Sequence, residues 1–182
     1  GADHFRRTIE AVHALNPGTV VEVLTPDFNG SVRSIDAVLS ARPDIFNHNI
    51  ETVRRLTPLV RHRATYDRSL AVLRQVKERA TGRIYTKSGL MLGLGERDDE
   101  VERALQDLRD AGCDILTLGQ YLQPTLRHLP VVEFVAPEKF AWFGELARSM
   151  GFVHVASGPM VRSSYHADEF NAAESAGPDS GA

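Results

Sequence analysis

The sequence predicts an α/β chain built on a parallel sheet. Three observations carry this reading: about five short β-branched or apolar runs alternate with segments whose apolar residues recur at helical spacing, most helical segments are stopped by Gly or Pro, and the strand runs keep apolar residues inside them. Such alternation implies right-handed βαβ units, arranged either as an open doubly wound sheet or as part of a (β/α) barrel.

Phe5, Ile9 and Val12 share one helical face, and Asn16-Pro17-Gly18 stops that helix before the β-branched run at 19–24. Ser31 is placed to cap a second helix carrying Ile35, Val38 and Leu39, which Pro43 ends ahead of a short strand at 44–48. A short helix is expected around 51–56. A longer one follows, with Leu70, Leu73 and Val76 on its buried face and Gly82 behind it. Strand 83–91 leads to a helix opened by Asp98 and Asp99, where negative charge is favoured, and buried through Val101, Leu105 and Leu108. Gly112 closes it before strand 114–118. Pro137 opens the last helix, which buries Phe140, Phe143 and Ala147, stops at Gly151 and delivers a strand at 152–155.

Five strands are fewer than the eight of a closed barrel, so the barrel reading expects units before Gly1 and treats the chain as a fragment with an exposed apolar edge, catalytically silent by itself. Residues 1–168 are expected to form the folded unit. The Ala-, Gly-, Ser- and Asp-rich stretch 169–182 reads as a disordered tail.

A formal charge of −3 without any long basic run argues against nucleic acid or an anionic membrane as partner. No apolar stretch approaches the ~20 residues that span a bilayer. The single cysteine, Cys113, fits a reducing cytoplasmic compartment and reads as a buried structural thiol, and the seven histidines form no zinc-binding pattern.

In parallel architectures, functional residues collect where strands end. That search returns Asp27, then Asn47-His48-Asn49 with Glu51, then Lys87-Ser88-Gly89 leading to Gly93 and Glu96, then Gln120 to Pro124, and finally 158–166. Asn47, His48 and Asn49 serve equally well as helix caps or as ligand contacts. Lys87, set among Ile84, Tyr85, Leu90 and Met91, has to reach solvent, pair with an acid or meet an anionic ligand. The glycines at 89, 93 and 95 allow a ligand close to the backbone, or simply make a turn.

The run Thr86-Lys87-Ser88-Gly89-Leu90-Met91-Leu92-Gly93-Leu94-Gly95-Glu96, together with Pro26-Asp27-Phe28, Phe46-Asn47-His48-Asn49-Ile50-Glu51, Leu116-Thr117-Leu118-Gly119-Gln120-Tyr121-Leu122-Gln123-Pro124 and Val161-Arg162-Ser163-Ser164-Tyr165-His166-Ala167, resembles the lipoyl synthase family, collinearly from Gly1 to about Asp168. The resemblance implies a partial (β/α) barrel of the radical S-adenosylmethionine type, with Gly89, Met91, Gly93 and Glu96 matching an element that packs near the cofactor's adenine. Met91 stands where the family element has Ile, an apolar exchange of similar volume.

Placement at the strand ends puts Asn49, Glu51, Lys87, Glu96 and Gln120 on one rim, with Asn49, Glu51 and Gln120 the better candidates for polar contacts to that cofactor's ribose and amino-acid ends. The implied cofactors are S-adenosylmethionine and two 4Fe–4S clusters, whose cysteine motifs this sequence lacks. Ser164 would give an oxygen ligand to the auxiliary cluster, the alternative being a helix cap. The implied reaction inserts two sulfur atoms at carbons six and eight of an octanoyl chain on a carrier protein or domain, with an electron donor reducing the cluster. The other readings are a cluster-free (β/α) enzyme using Lys87 for a Schiff base or an anion, and a non-catalytic binding fragment.

Overall fold

The helices α1 (Ala2–Leu15), α2 (Val32–Ser40), α4 (Tyr66–Arg79), α5 (Asp98–Asp110) and α6 (Pro137–Ser149) form where the apolar spacing predicts them, with a one-turn α3 (Thr57–Val60) between the second and fourth. The computed structural model of the protein describes residues 1–162. Ser31 caps α2 by accepting the Ser34 N–H, and Thr65 does the same for α4 through Arg68. The strands β1 (Glu22–Leu24), β2 (Ile45–Asn47), β3 (Tyr85–Leu92), β4 (Ile115–Gln120) and β5 (His154–Ser157) make one parallel sheet in chain order.

Chain order, together with the placement of the apolar clusters, decides the architecture. Val23 and Phe46 face α1, α2 and α4, and Leu90, Leu92, Leu116 and Leu118 face α4, α5 and α6. Ile45, Tyr85 and Ile115, one residue out of phase, meet each other on the opposite face without any helix. A doubly wound sheet carries helices on both faces, whereas this one carries them on one face only, as in a (β/α) barrel. The described part is therefore a partial barrel of five strands, with a concave inner face.

Several boundaries differ from the sequence expectation, β2, β3 and β4 by one or two residues at an end and three others for a visible reason. Residues 51–56 are not helical: Glu51 donates to Gly89 O and accepts from Met91 N, which draws it against β3, and the short helix starts only at Thr57, with Pro58 in its first turn. β1 is shorter than 19–24 because only Glu22 to Leu24 face β2, while Thr19 is bonded back to Asn16. β5 begins two residues late, since Phe152 is 6% exposed in the helix-side core under the Arg109 guanidinium.

The strand starts share one device. Asp44 N donates to Val21 O while its carboxylate accepts Val21 N, and Asp114 N donates to Thr86 O while its carboxylate accepts Thr86 N. Each aspartate thereby pins the strand it begins to its neighbour. Asp114 also binds the Thr86 hydroxyl and Lys77. Hydrogen bonds to a charged acceptor are worth about 1.5–3 kcal/mol, so Asp114→Ala should lower stability by about 2–3 kcal/mol in a urea melt; a loss under about 0.5 kcal/mol would show that this clamp is idle.

Candidate functional site

The concave face is layered. Ile45, Tyr85 and Ile115 close its lower end. Above them Lys87, 3% exposed, is bonded to the Glu22 carboxylate at 2.8 Å, and Asn47 donates to the other Glu22 oxygen at 2.7 Å. The sequence placed Lys87 on the rim; the structure places it mid-strand in this buried layer. An ammonium bonded to a carboxylate has no lone pair for a Schiff base, so the geometry does not favour that alternative.

Over this layer stands Gly89. A Cβ there would meet Thr117 Oγ1 at 2.6 Å and Asn49 Oδ1 at 3.2 Å, so the absent side chain is what lets Asn49 and Thr117 close over the strand. Asn49 Oδ1 is buried without a hydrogen-bond partner, as is Asn47 Oδ1. Buried acceptors are almost always satisfied. Two orphans on one concave face mark it as a place where a donor is wanted.

Asn49 and Glu51 are set by a bulge. Asn47 pairs with Lys87 and Glu51 with Leu90, four residues on one strand against three on the other. Thr52 N closes a three-residue turn on Ile50 O around Glu51 at φ 66, the rarer and more strained form of the γ-turn, and Ser88 Oγ takes the Ile50 N–H that the bulge releases from the ladder. Strain of this kind concentrates where a side chain has to be aimed. Glu51 is desolvated, which pushes its pKa above the usual carboxylate range, against a hydrogen bond from Asn49 and the charge of Arg61.

The other expected residues hold loops. Glu96 accepts the N–H groups of Gly93 and Leu94, Gly93 having φ 106, so its carboxylate makes the turn after β3. Gln120 bonds Tyr121 O and Glu133 O through Nε2 and takes Val135 N on Oε1, clamping the 121–135 loop across Gly93. Met91 is half-buried on the inner side of β3. Arg55, which sequence reading passed over, ties the segment after Glu51 to α5 by two bonds to Glu100, holding that carboxyl down at about 2, and a third to Gly95 O. Ser164 and the stretch 169–182 lie outside the described residues.

Cys113 is fully buried, and burial pushes its thiol up to about 12. Among the described residues, no group of three or more His, Cys, Asp or Glu is placed to hold a metal ion. No described helix is long and apolar enough to cross a membrane.

Residues 2–119 match the model of the radical SAM superfamily. The chain is 55% identical, over 93% of its length, to a lipoyl synthase of Caldicellulosiruptor saccharolyticus and 58% identical, over 96%, to one of Nitrosococcus oceani. It spans 59% and 54% of those two proteins. A methylornithine synthase crystal structure overlays 93% of the chain and 58% of its own with a TM-score of 0.64 at 13% identity, a likeness of fold.

With a thiol pKa near 12, Cys113 holds about one part in ten thousand as thiolate at pH 8. A disulfide reagent should therefore label native protein only at its opening rate, and full labelling within seconds would show the thiol to be accessible.

Proposed function

This chain belongs to the radical SAM superfamily, and we propose that it is part of a lipoyl synthase whose concave face holds S-adenosylmethionine at Asn49 and Glu51. Superfamily membership implies that cofactor and a 4Fe–4S cluster. The reading is carried by one observation: a buried acceptor without a donor, Asn49 Oδ1, stands over Gly89 of β3 beside the desolvated Glu51 carboxylate. S-Adenosylmethionine brings an ammonium and a sulfonium, which supply a donor to the first and charge to the second.

The residues fit this cofactor in three ways. Gly89 lets the polar groups of Asn49 and Thr117 come in over the strand, Asn49 offers the acceptor, and Glu51 offers the counter-charge. Glu96 and Gln120 would act indirectly, by fixing the turn after β3 and the 121–135 loop, and Lys87 by holding the polar layer beneath. When bound, S-adenosylmethionine is the source of one-electron hydrogen abstraction, the chemistry that an unactivated C–H bond requires.

The iron–sulfur cluster does not fit the residues present. The lone cysteine is a protonated core thiol, and the cluster's thiolates would come from cysteines this sequence does not contain. Two clusters, Ser164 as a ligand of the auxiliary one, an octanoylated carrier protein or domain as substrate, an electron donor and a cytoplasmic location complete the proposal, by kinship with lipoyl synthases. In it, 1–168 is the C-terminal part of the barrel with the cluster-capping motif, and 169–182 a tail.

Burial raises the Glu51 pKa, so its contribution to stability is fullest below the unfolded value of 4.5 and is lost as pH rises through the folded one. Desolvation penalises the ionised form, and a neutral amide removes that penalty. Glu51→Gln in the full-length protein should weaken S-adenosylmethionine binding at least tenfold by titration calorimetry at pH 7.5, with an unchanged or higher melting temperature. Unaltered affinity, or a melting temperature falling in step with affinity, would sink the assignment.

A further inference from the structure

The loop carrying Asn49 and Glu51 is braced from behind by a closed circuit of side chains. His48, 2% exposed, points from the end of β2 toward α4, on the side away from the concave face. Its Nδ1 lies 2.9 Å from Thr25 O and its Nε2 3.0 Å from Ser69 Oγ. Ser69, fully buried on α4, accepts Arg61 Nη1 at 2.7 Å, and the same nitrogen reaches Ile50 O at 3.4 Å. The circuit thus leaves the backbone at His48, runs through Ser69 and Arg61, and returns at Ile50, with Asn49 between the two attachment points.

The proton positions follow from the partners. A carbonyl only accepts, so Nδ1 carries the hydrogen toward Thr25 O. Ser69 Oγ, already accepting from a guanidinium, donates its own hydrogen to Nε2. A second proton on the ring would turn Nε2 into a donor, so Ser69 Oγ would have to turn its own hydrogen away and accept from two cations, the imidazolium and the Arg61 guanidinium, which weakens the circuit.

We propose that His48, Ser69 and Arg61 are positioning residues that hold the bulge in the shape that aims Asn49 and Glu51 into the concave face, and that this hold requires a neutral His48. The inference rests on the reading of Asn49 and Glu51 as ligand contacts. His48, Ser69 and Arg61 make no contact with that ligand; they act through the Asn47-to-Glu51 backbone, whose turn at Glu51 is strained and reverts without support. The charges facing the ring are Arg61 before α4, Arg68 on α4 and Asp27 after β1, the last two paired with each other, while Glu51 lies toward Arg61. Burial first, then the two arginines, favour the neutral ring over the opposing pull of Thr25 O and Asp27. The circuit is accordingly complete above the ordinary histidine value of 6.5 and is lost as pH falls through the lower folded one.

Two readouts on the full-length protein test this for Ser69→Ala, Arg61→Gln and His48→Gln. The first is amide-exchange protection at Glu51 and Thr52, whose N–H groups close the bulge onto Gly89 O and Ile50 O. Each variant should lose at least tenfold protection at those two amides at pH 7 while the β3–β4 ladder stays within about twofold. Wild type should show the same local loss on acidification through the lowered folded value of His48, and His48→Gln should show no further pH dependence. The second is S-adenosylmethionine affinity, which should fall about tenfold in the same variants.

Protection unchanged in Ser69→Ala and Arg61→Gln would overturn the proposal. So would a loss spread evenly over the sheet, since that marks a general structural role. Wild-type protein that binds no S-adenosylmethionine, while the variants lose local protection, would remove the functional reading and leave the positioning circuit standing.

Discussion

An ammonium inside a sheet face needs a carboxylate, and the Lys87–Glu22 bond at 2.8 Å is the interaction on which the concave side depends. Taking one partner from a buried pair costs about 3–5 kcal/mol, because the charge left behind has neither water nor a counter-ion. The pair spans β1 to β3 across Asn47 of β2, which itself donates to Glu22, so three strands are cross-linked on the face that carries no helices. Below it the apolar side chains of Ile45, Tyr85 and Ile115 fill the interior. Above it the polar groups of Asn49 and Thr117 gather over Gly89, where no side chain keeps them off. The ion pair is the boundary between a packed base and a polar mouth.

Much of the fold was legible because its signals are local. The stripe Val101, Leu105 and Leu108, the Ser31 cap and Pro137 at the start of α6 are all set within a few residues, and all lie where the sequence put them. The barrel choice was half legible: the alternation left it open against a doubly wound sheet and the family resemblance favoured it, while chain-order pairing and the one-sided helices decide it. β5 was misread by two residues because Phe152 looks like a strand residue in isolation and is consumed by the helix-side core.

The site divides along the same line. Lys87 was conspicuous as a lysine in an apolar strand, yet its partner Glu22 is 65 residues away and nothing near either residue announces it. Gln120 and Glu96 look like ligand groups in sequence because amides and carboxylates at strand ends usually are. The structure commits their polar atoms to backbone groups instead. Asn49 and Glu51 emerge differently, since one keeps an unmet acceptor and the other a desolvated charge. The bulge that sets them has no local signature: a one-residue register slip shows only once the neighbouring strand is in place.

Strain and support are linked in this loop. A glycine at position 51 would adopt φ 66 freely, but it would carry no carboxylate, so the chain places a glutamate where its backbone is uncomfortable and holds it there by contacts from both sides. On the sheet side the holders are Gly89 O and Met91 N; on the helix side they reach it through Ile50 O and the Arg61 guanidinium. Arg61 matters in both currencies, as a hydrogen-bond donor to the loop and as the nearest positive charge to Glu51. A cationic ligand would compete with that charge for the carboxylate. The firmness of the loop and the affinity of the face for a cation are therefore set by the same arginine, and its substitution cannot alter one without the other.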